Sequence, residues 1–243
     1  MEPLKHLLFI DIETVCCEAE YSVLSQGLQR EWIRKVKSKW SVEEGEAAQA
    51  FFDKAGILAE FGKVVCISMG CLVEKDKEWK LMIKSFAGDN EKELLQDFCS
   101  SISRFSKHQK HPTFVGHNIK EFDLPYISRR MIIHGLCLPE CLRLHGKKPW
   151  EVPHIDTMQL WAFGDYKSYT KLSLLAEVLG IPTPKDDISG EDVTRVYWRE
   201  KDIPRIVTYC QKDVETTARI YMRLMCYDEV NFTTEIVQDH VAA

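Results

Sequence analysis

At 243 residues the chain has room for one large α/β domain, or one domain carrying an insertion, and for a sizeable core. Its 45% apolar and 10% aromatic content is ordinary for a globular protein, and no apolar run is long enough to span a membrane. A net charge of −5 argues against a surface that grips phosphates with Lys and Arg alone, unless bound cations offset local negative charge.

The first element is a strand over residues 7–12, a short apolar run with β-branched content. The apolar stretch around it is too short for a secretion signal and ends in two acids, so a cytoplasmic protein is expected. Residues 17–60 read as a helical insertion. Within 28–40, Trp32, Ile33, Val36 and Trp40 recur at helical spacing, with Arg30, Arg34 and Lys37 on another face. Tryptophans packed on the core beside a solvated basic face account for that pattern better than stacking on nucleic acid bases does. A second helical patch covers 43–59.

Residues 64–73 form a strongly apolar strand and 79–86 its hairpin partner. Asn90 and Glu93 make a capping box ahead of a helix with Leu94, Leu95, Phe98, Ile102 and Phe105 on one stripe. A short strand over 113–115 leads into Gly116, His117 and Asn118. Asp123 opens a helix that runs to about residue 134, and 135–155 is rich in turn signals. Short helices follow near 157–163 and 172–179, then another over 189–198 with Ser189 and Asp192 at capping positions. The last helix spans about 203–225, capped by Asp202 with Pro204 in its first turn. The order of elements suits a mixed sheet flanked by helices.

Three acidic motifs carry the chemistry. Asp11 and Glu13 end the first strand as D-x-E, so they point to one face roughly 6.6 Å apart along it. Two carboxylates there can share a pair of divalent cations, and without a positive partner their burial is costly. Asp123 taken alone is best explained as an N-cap followed by Pro125, although a cap leaves one carboxylate oxygen free for a metal. Tyr209 and Asp213 lie at i and i+4 of the last helix and face the same way.

Taken in order, D-x-E, N-x(4)-D from Asn118 to Asp123 and Y-x(3)-D from Tyr209 to Asp213 resemble the three exonuclease motifs of the DEDD superfamily, the tyrosine marking the DEDDy subgroup. FIDIET, EFGKVVCISMG, GHNIKEFDLPYISRR, HIDTM and YCQKDVETT carry the likeness, which covers residues 9 to about 225. Within that group the chain is most similar to stand-alone 3′-5′ exonucleases related to the proofreading domain of B-family DNA polymerases.

The resemblance implies an α/β, ribonuclease H-like fold with a mixed central β-sheet flanked by α-helices. It implies one exonuclease domain over 1–243 with a helical insertion at about 17–60. It also implies two divalent cations, Mg²⁺ or Mn²⁺, held by Asp11, Glu13, Asp123 and Asp213; oxygen ligands suit such hard cations. Tyr209 would orient the attacking water, and the products would be nucleoside 5′-monophosphates. Thr14 matches a position that contacts the terminal nucleotide, Asn118 would brace the second motif or touch the strand, and Phe122 would offer a stacking surface, with core packing the better account of Phe122. Asp156 resembles a recurrent family position and is explained as well by an N-cap.

Single-stranded or frayed DNA is the expected substrate. A 3′-5′ exoribonuclease of the ribonuclease D kind is the nearest alternative. That group usually carries an extra helical domain, which the residues after Met225 are too few to encode. A catalytically silent nucleic-acid-binding protein would normally have lost a metal ligand, and all four acids are present. A scaffold domain is permitted by the acidity but not suggested by the motifs. Whether a polymerase or helicase presents the strand is open.

The nine cysteines are odd in number, scattered and free of CxxC pairs, which points to reduced thiols. His134, Cys137, Cys141 and His145 have zinc-ligand chemistry. Their spacing matches no common zinc module, and Leu136, Leu138 and Leu142 interleave with them as core residues. No phosphate-cradling glycine loop or nucleophilic triad is evident.

Overall fold

A computed structural model describes residues 4–108, 112–165, 169–182, 187–227 and 229–237. Strand β1 (Leu7–Cys16) is followed by helices α1 (Gln26–Trp40) and α2 (Ala47–Lys54), then by the hairpin of β2 (Gly62–Lys75) and β3 (Glu78–Ala87). Next come α3 (Glu91–His108), β4 (Thr113–Gly116), α4 (Asp123–Ile133), the two-residue β5 (Ile155–Asp156) and α5 (Thr157–Ala162). Helices α6 (Leu172–Val178), α7 (Val193–Arg195) and α8 (Ile203–Leu224) precede the last strand, β6 (Phe232–Ile236).

The strands form one sheet in the order β5-β4-β1-β2-β3-β6. The β1–β2 and β2–β3 pairs are antiparallel, and the β1–β4, β4–β5 and β3–β6 pairs are parallel. This is the mixed α/β sheet expected from the sequence. Strand β1 lies inside it and is buried on both faces. Leu8, Ile10 and Ile12 join one core with Phe98 of α3 and Ile127 of α4. Leu7 and Phe9 face the other way, onto Val214, Ala218 and Tyr221 of α8. Alternation along one strand thus feeds two layers of helices. Each fully buried Leu or Phe contributes about 1.5–3 kcal/mol relative to exposure.

Several expectations need correction. Strand β1 does not end at its acids but continues to Cys16, because its ladder with β2 runs on to Cys16 opposite Gly62. Within 17–60 only α1 and α2 are α-helical, separated by turns and short 3-10 segments. Asp123 is not the cap of α4. Phe122 occupies that position and Asp123 is the first helical residue. Val196–Glu200 continues α7 as a π-helical turn. Strands β5 and β6 were not legible in the sequence.

Other readings hold. Trp32 is fully buried, donates its indole N–H to the Ala47 carbonyl at 2.6 Å and meets the rings of Phe51 and Phe61 edge-on. Arg34 pairs on the surface with Glu31. Asp202 caps α8 by accepting the Arg205 N–H at 3.1 Å.

Candidate active site

The acids of β1 sit where the strand has lost one neighbour. Strand β4 pairs with β1 only from Leu7 to Phe9, whereas the β2 ladder continues past Asp11 and Glu13, with an irregularity between Glu13 and Thr14. Strand β4 ends at Gly116, close against β1. A Cβ there would lie 2.8 Å from the Ile10 carbonyl oxygen and collide with the Ile119 side chain, so the approach requires glycine. On the far side of this gap, α8 brings Tyr209, Cys210 and Asp213 against β1.

Asp123 reaches the same place from the loop after β4. Asn118 adopts a left-handed conformation at φ 65°, and its carbonyl accepts the Glu121 and Phe122 N–H groups. Asp156 holds that loop. Its carboxylate accepts the N–H of Asn118 at 2.9 Å and of Lys120 at 3.1 Å while capping α5 through Met158 and Gln159. His117 is fixed between the Thr157 hydroxyl at 2.9 Å and the Thr170 carbonyl at 2.7 Å.

The four acids fall within one electrostatic neighbourhood. Burial raises the Asp11 carboxyl well above the usual range, and the negative charges of Asp213 and Asp123 raise it further. Glu13 is raised likewise, by burial and then by Asp11 and Asp213. Burial pushes Asp123 up to about 8, against hydrogen bonds from its own backbone and that of Ile12. Tyr209 is raised by burial and by Asp213, Glu13 and Asp11, and its phenol hydrogen-bonds to Asp213. Like charges confined together favour protonation unless a cation compensates them.

One ligand atom each from Asp11, Glu13 and Cys210 lies within 4.8 Å of the others. The Oδ2 atom of Asp11 is buried without a hydrogen-bond partner. Such an atom is costly to leave bare, and a divalent cation bound beside it would satisfy it. The donor set, mostly carboxylate oxygen, fits hard divalent cations.

The remaining sequence candidates are placed as follows. Thr14 hydrogen-bonds with the Tyr126 phenol, which itself donates to the Gly56 carbonyl at 2.8 Å. The side-chain oxygen of Asn118 is buried and unpartnered, an acceptor beside the acids. Phe122 is half-buried against Tyr126, its ring centroid 5.4 Å away, and so packs on the core. The His134/Cys137/Cys141/His145 set is not assembled. His134 bonds to Glu91 at 2.7 Å, Cys137 is exposed, and the Cys141 carbonyl accepts from His154. An apolar cleft of about 430 Å³, lined by Pro125, Arg129 and Ile132, lies on the outer side of α4 and contains none of the predicted site residues.

Two features escaped the sequence reading. Asp156 was recognised as a cap, but its grip on the Asn118 loop needed the fold. Cys210 and Cys66 border the acids, and only the adjacency of Cys210 to Tyr209 hinted at this.

Comparisons with known proteins bear on the family and the fold. Residues 57–242 match a family described as predicted 3′-5′ exonucleases related to the exonuclease domain of PolB. That span holds Asp123, Tyr209 and Asp213, while Asp11 and Glu13 precede it. No curated protein matches the chain. The fold is similar to that of the family B DNA polymerase from the hyperthermophilic archaeon Pyrobaculum calidifontis. The TM-score is 0.57 at 17% identity, over 90% of this chain and 24% of that polymerase. The mixed sheet with its flanking helices is accordingly ribonuclease H-like.

Proposed function

The chain belongs to the family of predicted 3′-5′ exonucleases related to the exonuclease domain of PolB; from that premise we propose that it removes nucleotides from the 3′ end of single-stranded or frayed DNA, releasing nucleoside 5′-monophosphates. What supports this reading is a bare, buried carboxylate oxygen on Asp11, close to Glu13 and within the electrostatic reach of Asp123 and Asp213. In this reading those four acids hold two divalent cations, Mg²⁺ or Mn²⁺. When bound, such cations lower the pKa of a water and offset charge on the attacking and leaving oxygens of an in-line displacement.

The residues of the chain divide the remaining work. Asp213 accepts the Tyr209 phenol and fixes its direction, so Tyr209 orients the attacking water. Its raised pKa keeps it protonated at neutral pH, which makes it a hydrogen-bond donor rather than a base. Thr14 and Asn118 flank the acids and are proposed to position the terminal nucleotide. Cations also answer the net charge of −5, since they supply the positive potential the surface lacks. We further propose a single exonuclease domain, with α1 and α2 as the insertion, working in the cytoplasm. None of the described helices is long and apolar enough to cross a membrane.

A degradation assay decides the matter, with 5′-labelled single- and double-stranded DNA and RNA in Mg²⁺, Mn²⁺ or EDTA. A ladder shortening from the 3′ end of DNA with either cation, and lost in EDTA, is the expected result. Digestion that persists in EDTA, or cleavage only at internal bonds, would sink the reading. Preference for RNA would redirect it to the exoribonuclease alternative.

A further inference from the structure

Two thiols border the acid cluster. Cys66 stands on β2 directly opposite Glu13 in the ladder. Cys210, on α8 between Tyr209 and Asp213, donates to the Asp11 carbonyl oxygen at 3.4 Å, and the Cys66 sulfur lies 3.8 Å from the Ser68 hydroxyl. Both are buried. Ligand atoms of Cys210, Asp11 and Glu13 already lie within 4.8 Å of one another, and Asp11 Oδ2 has no partner.

Mg²⁺ and Mn²⁺ are served by carboxylate oxygen and gain little from sulfur, whereas zinc binds thiolate and carboxylate together and ranks above manganese in general affinity. Zinc takes sulfur at about 2.3 Å and oxygen at about 2.0–2.2 Å in a tetrahedral shell, which needs only a modest contraction of a cluster this tight.

We propose that Asp11, Glu13 and Cys210 form a mixed site for a thiophilic divalent cation such as Zn²⁺, with water completing the shell, and that its occupation is inhibitory. As the sulfur–metal bond forms, the Cys210 thiol proton passes to solvent. The inhibition follows because Asp11 and Glu13 cannot then serve the hard cations of the proposed exonuclease. The inhibitory half therefore rests on that reading, and the binding half stands on geometry alone.

The test uses the full chain, thiols reduced and metal removed, in a Cys137→Ser/Cys226→Ser background that eliminates the two exposed cysteines. Cd²⁺ serves as the spectroscopic stand-in for zinc, read by its thiolate charge-transfer absorption in the ultraviolet. One saturating equivalent displaced by Zn²⁺ is expected. Cys210→Ser should weaken binding at least about tenfold, as loss of even an outer partner does at metal sites. Zinc should inhibit Mg²⁺-supported digestion, and Cys210→Ser should raise the half-inhibiting concentration by a similar factor, each protein normalised to its own rate. If Cys210→Ser does not fold, Asp11→Asn and Glu13→Gln carry the same binding test. A missing thiolate band, or one indifferent to all three substitutions, overturns the site. A protein that binds cadmium through Cys210 yet digests nothing sinks the exonuclease reading and the inhibitory half with it, leaving the binding site standing.

Discussion

Asp156 accepts the backbone N–H of Asn118 at 2.9 Å, so the residue that caps α5 also sets the loop delivering Asp123. Four backbone donors end on this one buried carboxylate. Asp156→Ala leaves them unsatisfied and should destabilise the fold by about 3 kcal/mol, combining a lost cap with bare buried donors. Asp156→Asn keeps part of the acceptor set and should cost less. Chemical denaturation of both variants checks the order. If the carboxylate positions Asp123, the exonuclease rate of Asp156→Asn should fall under conditions where it is fully folded. A variant with unchanged rate and metal dependence would show the bonds to be structural only.

Neutralising an acid in the cluster should separate stability from activity. Asp11→Asn relieves like-charge repulsion and burial of a charge, so the metal-free protein should melt higher at pH 8, by about 2–4 °C for each kcal/mol relieved. Hydrolysis should drop by at least about 10²-fold, as it does when a preorganised transition-state contact is lost. Wild type should gain more melting temperature from Mg²⁺ than Asp11→Asn does. Equal gains would remove Asp11 from the ligand set.

Tyr209→Phe deletes the phenol that Asp213 accepts and keeps the ring packed on its hydrophobic neighbours. Misorienting the attacking water should slow turnover by about 10²-fold. Metal affinity, measured by calorimetry, should change little. A large loss of affinity would make Tyr209 a support for the acids rather than an orienter of water.

His154 gives a pH-dependent stability with a definite sign. Burial lowers its pKa from the ordinary 6.5 to about 4. Its Nδ1 accepts the Phe114 N–H at 3.2 Å and its Nε2 donates to the Cys141 carbonyl at 2.8 Å, an arrangement only the neutral ring can make. The unfolded chain binds the proton more readily. This contribution is therefore complete above pH 6.5 and is lost as pH falls toward 4, up to about 3 kcal/mol in total. Asp123 has the opposite sign in the metal-free protein. Its carboxyl holds a proton more tightly when folded, so stability declines as pH rises from about 4 to about 8. Comparison with His154→Gln isolates the histidine. The melting-temperature advantage of wild type should shrink between pH 7 and pH 4.5, and a constant difference would contradict the assignment.

The elements that declare themselves locally were legible in the sequence. The stripe of α3, the cap and Pro204 of α8 and the apolar runs of β1 and β2 each follow from periodicity or end chemistry. Two-residue β5 has no periodicity to read, and β6 exists only because the edge of β3 offers it a parallel partner. For the site, residue types and motif order were enough to nominate Asp11, Glu13, Asp123, Tyr209 and Asp213. Composition could not show that Asp123 would fall one residue inside its helix, or that Asp156 would clamp a loop 38 residues earlier. The contact of Cys210 with the Asp11 carbonyl joins α8 to the first strand, most of the chain away, and no local pattern encodes it.

Asp11 and its sulfur neighbour Cys210 are separated by 199 positions in the sequence. During synthesis β1, the hairpin and α4 all emerge before α8, so a nascent chain has three of the acids and no completed centre. Closing so long a loop is slow and entropically unfavourable. The repulsion that Asp213 adds to Asp11 and Glu13 is deferred to that final docking. Cleavage competence, on the proposed reading, therefore waits until α8 has docked on β1.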